Sequence, residues 1–211
     1  MAADTAAMFT LGQEEQAIRD AVRGIVDSFG PDYYQQQVDD GANCGELWDA
    51  LGSKGYLGVH LPEKYGGGGL GLRELAIVVQ ETALGGCPLQ AMLFSAGVTG
   101  TILNRSASDE QKSRWLPGVA GGETRLSFAI TEPDAGSNAH RISTVARRKG
   151  ERYVINGQKV FITGMESAQW VMVVARTTVD EHAGRGRLSV FMVKTDTPGL
   201  SWTPPPRWYR R

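Results

Sequence analysis

The sequence lacks the features that mark membrane proteins and disulfide-stabilised proteins. Its 211 residues include only two cysteines, Cys44 and Cys87, far apart and without metal-ligand spacing. We expect free, reduced thiols and a cytoplasmic location, because structural disulfides belong to oxidising compartments. No apolar run reaches the roughly 18 residues that a membrane-spanning helix needs. The N-terminus contains Asp4 and no basic stretch followed by an apolar one, so no signal or transit peptide is expected.

An excess of one charge is also missing, since 22 Lys and Arg residues are balanced by 23 Asp and Glu residues. A chain without a net field has no general attraction for nucleic acid or an anionic membrane, so partners must be recognised at a local site. Histidine is scarce as well. His60, His140 and His182 are isolated and show no ligand spacing, so a metal site is not expected.

The first half of the chain shows the spacing of apolar residues that is typical of helices. Apolar residues recur at helical spacing between residues 11 and 29, and Thr10 with Gln13 predicts a capping box at the start of that helix. Ser108 with Gln111 predicts a second capping box and a further helix behind it. Other helices are predicted around residues 47–51, 73–84 and 91–103.

The hydrophobic period changes after about Gly122. Short β-branched or aromatic runs bounded by Gly, Asn or Asp predict strands over residues 125–130, 142–148, 153–155, 158–162, 170–176 and 188–194. Asn156-Gly157 predicts a hairpin turn, because both residues tolerate positive φ. The predicted fold class is α+β: an N-terminal helical bundle domain over residues 1–122, then an antiparallel β-barrel or sandwich domain over residues 123–211 that is truncated.

One glycine motif formally satisfies a dinucleotide-binding pattern. Gly66, Gly68 and Gly71 give G-x-G-x-x-G before a predicted helix. Pro62 interrupts the apolar run that precedes them, however, and no parallel sheet is predicted nearby. We therefore expect a flexible turn into the helix rather than a nucleotide site.

A second motif, TEPDAGSN at residues 131–138, follows a predicted strand end, where ligands are commonly bound. Pro133 would stiffen the turn, Gly136 would permit close backbone approach, and Ser137 would offer a hydroxyl donor. The residues alone also allow an ordinary turn between two strands.

These motifs resemble blocks of the acyl-CoA dehydrogenase family. FAITEPDAGSN matches the family's flavin-binding signature and YVINGQKVFITG matches its next block, while LGVHLPEKYGGGGLG and DEQKSRWLPGVAGGE match the N-terminal helical domain and the following junction. The blocks keep the family's order and spacing over nearly all of the chain. The resemblance implies an FAD-dependent enzyme that α,β-dehydrogenates an acyl-CoA thioester, passes electrons to an electron-transfer protein and forms a homo- or hetero-oligomer.

The resemblance also implies roles for individual residues. The flavin would be lined by Phe128, Ile130 and Thr131, with Ile130 and Thr131 hydrogen-bonding the polar edge of its ring. The pyrophosphate and the thioester end of the substrate would be approached by Gly136 and Ser137. Phe161 would pack on the ring and Thr163 would hydrogen-bond near the reactive nitrogen. Phe161 stands where many members carry Trp, and Asn138 replaces a common Asp; neither change forbids flavin binding.

No catalytic base is predicted within the chain. In the family, the carboxylate that acts as the base comes from a C-terminal helical domain, whereas this sequence stops at Arg211. We therefore expect Glu132 to have a structural rather than a catalytic role. Arg147, Arg148 and Lys149 are expected to form a solvated strand end. Two alternatives stay open: a non-catalytic FAD- or CoA-binding subunit, and a flavin-dependent oxidase or monooxygenase of the same fold.

Overall fold

The first half of the chain is helical in the computed structural model, which describes residues 10–177 and 186–204. A π-helical segment joins α5 to α6, and a 3-10 turn, Glu63–Tyr65, precedes α4. The helices are α1 (Gln13–Asp27), α2 (Gly30–Asp39), α3 (Gly45–Ser53), α4 (Leu72–Leu84), α5 (Gln90–Met92), the π segment (Leu93–Gly100), α6 (Thr101–Ser106) and α7 (Asp109–Gly121). The sequence pattern did not predict α2, because none of its residues is buried and no apolar stripe marks it.

The two predicted capping boxes have different outcomes. The box at Ser108 is confirmed, because the Gln111 N–H donates to Ser108 Oγ at 3.3 Å and the Ser108 N–H donates to Gln111 Oε1 at 3.0 Å. The box at Thr10 is wrong. Helix α1 begins later, and the Gly12 N–H donates to Glu15 Oε2 at 2.7 Å.

The helical core is built from the apolar faces of α1, α3 and α4. Val22 and Val26 of α1 are fully buried, as are Leu47 and Leu51 of α3. Each such side chain contributes roughly 1.5–3 kcal/mol when it leaves water. Trp48 is buried beside them and satisfies its indole by donating Nε1–H to the Gly122 carbonyl at 2.9 Å.

A second apolar cluster fixes the sheet against the helices. It includes Leu116 and Val119 of α7 together with Leu126 and Met172 from two strands. The π segment adds a polar contact, because Ser95 Oγ accepts a hydrogen bond from the Leu126 N–H at 2.9 Å. The first strand is therefore anchored on the helical part.

The sheet is mixed. Its strands are β1 (Leu126–Ala129), β2 (Val145–Lys149), β3 (Arg152–Asn156), β4 (Trp170–Arg176) and β5 (Leu188–Lys194), and a 3-10 turn, Ala139–Arg141, precedes β2. Strand β4 pairs in parallel with β1 and antiparallel with β5, and it meets β2 in parallel through one residue pair. Strands β2 and β3 form an antiparallel hairpin. The predicted order of helices followed by a β part is confirmed, while the pairing is not antiparallel throughout.

Two local predictions in this part are wrong. The hairpin turn lies at Gly150, where φ is +62°, rather than at Asn156-Gly157, because Asn156 still pairs with Val145. Gly157 instead packs so closely on Thr144 that an added Cβ would come within 2.2 Å of its Oγ1. Residues 158–162 are not a strand, since the backbone turns to a φ of +58° at Phe161.

The glycine-rich loop at residues 66–71 is a hydrogen-bonded turn packed on the preceding chain. The N–H groups of Gly68 and Gly69 donate to the carbonyls of Gly58 and Leu61 at 3.0 and 2.8 Å. A 3-10 turn rather than a strand precedes the loop, which is not the context of a dinucleotide-binding turn. Within the described ranges, no helix has the length and apolar character needed to cross a membrane.

Candidate functional site: a platform beyond strand β1

The sequence motifs at residues 130–137 and 159–164 form one platform, the name used below for these two segments. Two hydrogen bonds to backbone carbonyls join these segments beyond the end of β1, and a third fixes the second segment to β1 itself. The Val160 N–H donates to the Thr131 carbonyl at 3.0 Å, and Lys159 Nζ donates to the Ile130 carbonyl at 2.9 Å. Ser127 Oγ donates to the Thr163 carbonyl at 2.9 Å. The structure therefore brings Ile130, Thr131 and the segment with Phe161 and Thr163 together.

Glu132 lies at the centre of the platform and is 4% exposed. One of its oxygens accepts hydrogen bonds from the Ser143 N–H and Oγ at 2.6 and 2.7 Å. The other accepts from the Thr144 N–H at 3.0 Å and from Lys159 Nζ at 2.8 Å. The carboxylate thus connects three chain segments, in agreement with the structural role expected for it.

These contacts set the charge state of the Glu132–Lys159 pair. Burial alone raises the pKa of Glu132, but hydrogen bonds from Lys159, Thr144 and Ser143 outweigh burial and lower that pKa to about 2. Burial lowers the pKa of Lys159, and the bond to Glu132 opposes this effect. A carboxyl group held as an anion by four donors is not suited to act as a general base near neutral pH.

Phe161 is the most unusual residue of the platform. The residue is 91% exposed, and its φ of +58° lies in the left-handed region that aromatic residues rarely adopt. Such a conformation costs on the order of 1–3 kcal/mol and persists only where the surroundings impose it. Since Phe161 gains little from packing against the described residues, its ring is available to contact a ligand.

Backbone donors accompany the exposed ring. Among the residues that the structure describes, no hydrogen bond engages the N–H groups of Phe161, Ile162 or Thr163. An aromatic face beside a short row of free N–H donors suits a planar ligand with an apolar face and a polar edge. An isoalloxazine ring is such a ligand, so the residues present fit a flavin.

The other predicted site residues do not lie beside Phe161 as an exposed surface in the same way. The side chains of Phe128 and Ile130 are half-buried against a cluster that includes Ile142, so they do not present an exposed surface like that of Phe161. Gly136 and Ser137 are exposed and follow the small bridge between Glu132 and Ala135. A Cβ added at Gly136 would meet no atom within 4 Å, so space is open there for a ligand to approach the backbone.

Sequence reasoning missed Lys159 and Ser127, although one signal for Lys159 was present. A charged residue inside an apolar run, as in QKVFI, must find a partner if the run is buried, and Glu132 is a carboxyl inside the preceding motif. Ser127 gave no comparable signal. In the described part of the chain, His60 and His140 belong to no group of potential metal ligands, and His182 lies outside it.

Comparison with known proteins identifies the same family as the sequence motifs. The family model described as "Acyl-CoA dehydrogenase, N-terminal domain" matches residues 12–123, and the model "Acyl-CoA dehydrogenase, middle domain" matches residues 127–208. The acyl-CoA dehydrogenase FadE12 of Mycobacterium tuberculosis is 47% identical over 196 residues, which cover 93% of this chain and 50% of that protein.

Solved structures agree with these matches. A glutaryl-CoA dehydrogenase from Mycobacterium smegmatis in complex with FADH2 aligns with a TM-score of 0.80 and 31% identity, over 93% of this chain and 48% of that one. The ChsE4-ChsE5 complex from Mycobacterium tuberculosis aligns with a TM-score of 0.78 and 30% identity, over 93% and 50%. The chain spans about half the length of the curated relatives it matches. Sequence and structure together show that the chain belongs to the acyl-CoA dehydrogenase family.

Proposed function

We propose that this chain holds FAD for an enzyme that α,β-dehydrogenates an acyl-CoA thioester. The observation that carries the proposal is Phe161, a residue that is 91% exposed on a left-handed backbone, beside N–H donors for which the described residues supply no partner. Membership of the family and a similar structure that contains FADH2 support the choice of flavin over other planar ligands.

The platform residues would hold the cofactor through distinct groups. Phe161 would cover one face of the isoalloxazine ring, and the N–H groups of residues 161–163 with the Thr163 hydroxyl would bond its polar edge. Ile130 and Thr131 would contribute backbone and hydroxyl groups from the facing segment. FAD would supply the acceptor for the hydride that leaves the β-carbon.

The substrate end of the platform would be formed by the exposed loop of Gly136 and Ser137. An α-proton next to a thioester is a weak acid, so its removal needs hydrogen bonds that strengthen as charge develops on the carbonyl oxygen. Ser137 would bind the pantetheine or thioester portion from this loop. We assign no catalytic base among the described residues, because the Glu132 carboxylate is held by Ser143, Thr144 and Lys159.

The proposal includes protein partners. An electron-transfer protein would reoxidise the flavin, and the chain would act within a homo- or hetero-oligomer in the cytoplasm. The alignment with the two-protein ChsE4-ChsE5 complex supports a hetero-oligomer as one form of this assembly.

Flavin binding is the first test. The purified chain is reconstituted with FAD, desalted and examined for flavin absorbance, beside a Phe161→Ala variant and a control with the exposed Val154 changed to Ala. We expect a yellow wild type and control, and weaker retention of FAD by Phe161→Ala. A wild-type protein that retains no flavin would overturn the proposal.

The reaction is tested on the flavin-loaded protein under anaerobic conditions. Bleaching by members of a panel of acyl-CoA thioesters supports dehydrogenation, and rapid reoxidation by oxygen would favour the oxidase or monooxygenase alternative. Because no catalytic base is assigned among the described residues, retention of FAD without bleaching by any thioester would show that this chain holds the flavin and needs a base from elsewhere. The panel should include straight-chain, branched and bulky acyl groups, because the platform does not discriminate among them.

A further inference from the structure

We propose that Lys159 is the positioning residue that holds Phe161 in its ligand-ready conformation, an inference that rests on the proposed flavin site. The Lys159 ammonium lies between the Ile130 carbonyl at 2.9 Å and Glu132 Oε1 at 2.8 Å. Its side chain is only 10% exposed. Lys159 therefore fastens the second platform segment to the first, two residues before Phe161.

The need for such a fastening follows from the exposure of Phe161. An aromatic residue leaves the left-handed region unless its surroundings prevent the rotation. The Phe161 ring is almost wholly in solvent and so cannot supply that restraint by packing. The restraint must come from the neighbouring backbone. On one side of Phe161 the Val160 N–H donates to the Thr131 carbonyl, and on the other side Ser127 Oγ donates to the Thr163 carbonyl.

Lys159 adds to these flanking bonds a charged connection to a rigid acceptor. Glu132 is itself fixed by Ser143 and Thr144, so the position of the Lys159 ammonium is determined by a carboxylate that cannot move freely. A buried charge pair of this kind is a poor source of net stability, but it fixes geometry because few arrangements satisfy both charges. The pair is thus better suited to setting the Phe161 backbone than to stabilising the fold.

The two partners are not equivalent. Removing the Lys159 charge leaves Glu132 with three donors from residues 143 and 144, so the loop around it keeps its bonds. Removing the Glu132 charge leaves a buried ammonium with one neutral acceptor. Replacement of Lys159 should therefore affect flavin binding more than stability, and replacement of Glu132 should do the reverse.

The test compares Lys159→Met, of similar length but without charge, with Lys149→Met, which removes an exposed lysine from strand β2 of the same sheet. FAD affinity is measured from quenching of flavin fluorescence, and the ring environment from visible circular dichroism of the bound flavin. We expect Lys159→Met to weaken binding roughly tenfold, equivalent to about 1.4 kcal/mol, and to change the dichroism. Lys149→Met should match wild type in both.

A double-mutant cycle asks whether Lys159 acts through Phe161. In a Phe161→Ala background, Lys159→Met should have little further effect on FAD affinity, because the ring that it positions is gone. Effects that simply add in the double variant would overturn the proposal, as would wild-type affinity and dichroism in Lys159→Met.

A measurement without flavin separates this proposal from the proposed function. Amide hydrogen exchange of the Val160 N–H in the flavin-free chain should be faster in Lys159→Met than in wild type, whatever the ligand of the platform. Unchanged protection refutes the positioning role, whereas failure of the wild type to bind FAD refutes only the flavin assignment. If Lys159→Met does not fold, Lys159→Gln serves instead: its amide is uncharged and too short to reach both acceptors, so the same changes are expected, and their absence would overturn the proposal.

Discussion

Replacing Glu132 with Gln removes the charge around which the platform is organised. The carboxylate accepts four hydrogen bonds, from Ser143 N–H and Oγ, Thr144 N–H and Lys159 Nζ, at 2.6 to 3.0 Å. Gln has the same shape, but its NH₂ group faces donors and the Lys159 ammonium loses its counter-charge. Since Glu132 is only 4% exposed, little solvent is present to compensate.

The expected loss of stability follows from the pKa of Glu132. Burial raises this pKa, and the hydrogen bonds reverse the effect to give about 2 instead of the ordinary 4.5. The difference corresponds to roughly 3 kcal/mol, at about 1.36 kcal/mol for each pH unit. Gln can still accept one of these hydrogen bonds, but the buried Lys159 ammonium loses its counter-charge, so we expect Glu132→Gln to lower the free energy of unfolding by about 2–3 kcal/mol. The unfolding temperature should fall by roughly 4–12 °C.

The effect has a defined pH dependence. A carboxyl group whose pKa is depressed on folding contributes stability that is present above its unfolded pKa and is lost as the pH falls through its folded pKa. Wild type should therefore lose the Glu132 contribution between about pH 5 and pH 2. Glu132→Gln has no such group at this position, so the difference in stability between the two proteins should shrink over that window.

Urea unfolding at a series of pH values, followed by far-ultraviolet circular dichroism, measures both quantities. Glu151→Gln, at the exposed tip of the β2–β3 hairpin, is the matched control and should be within about 0.5 kcal/mol of wild type at neutral pH. The reasoning is refuted if Glu132→Gln loses less than about 1 kcal/mol at pH 7, or if its deficit stays constant as the pH falls.

Three glycine-related predictions complete the set. Phe161→Gly should leave the unfolding free energy of the flavin-free chain unchanged or raise it by up to about 1 kcal/mol, because glycine tolerates a φ of +58°, while FAD binding weakens roughly tenfold; a clear loss of stability in urea would contradict this. Gly157→Ala should cost about 1–3 kcal/mol in the same assay, because the new Cβ would meet Thr144 Oγ1 at 2.2 Å; a stability equal to wild type would show that the contact is easily relieved. Gly136→Ala should leave stability within about 0.5 kcal/mol, because a Cβ there meets no atom within 4 Å, and should weaken FAD binding several-fold if the cofactor approaches the backbone there as proposed; unchanged affinity in the fluorescence titration would remove Gly136 from the site.

The elements that the sequence predicted well are those with a strong local pattern. The apolar stripe of α1 and the Ser108 capping box depend on residues within one or two turns of each other. The Asn156-Gly157 turn failed for the opposite reason. Its two residues permit a hairpin, but the pairing of Asn156 with Val145 and the close packing of Gly157 on Thr144 are set by tertiary contacts.

The candidate site shows the same division. Its backbone motifs were predicted by resemblance, including Phe161 and Thr163, whereas the fastening by Lys159 was not. Lys159 and Glu132 are separated by 27 positions, and no local period connects them. Nor could periodicity predict the left-handed backbone at Phe161, because that conformation opposes the intrinsic preference of the residue.

The parallel pairing of β1 with β4 has a kinetic consequence. Leu126 of β1 pairs with Trp170 of β4. The β2–β3 hairpin and both platform segments lie between these two strands in the sequence, so all of them are synthesised before β4. A hairpin closes in about 1–10 μs, whereas ribosomes add only about 5–20 residues each second. During synthesis, β4 therefore becomes available for pairing several seconds after β1. In that interval β1 can already contact the helical part, for example through the hydrogen bond from the Leu126 N–H to Ser95 Oγ. We expect the helical part to fold first on the ribosome and the sheet to be completed only when β4 emerges.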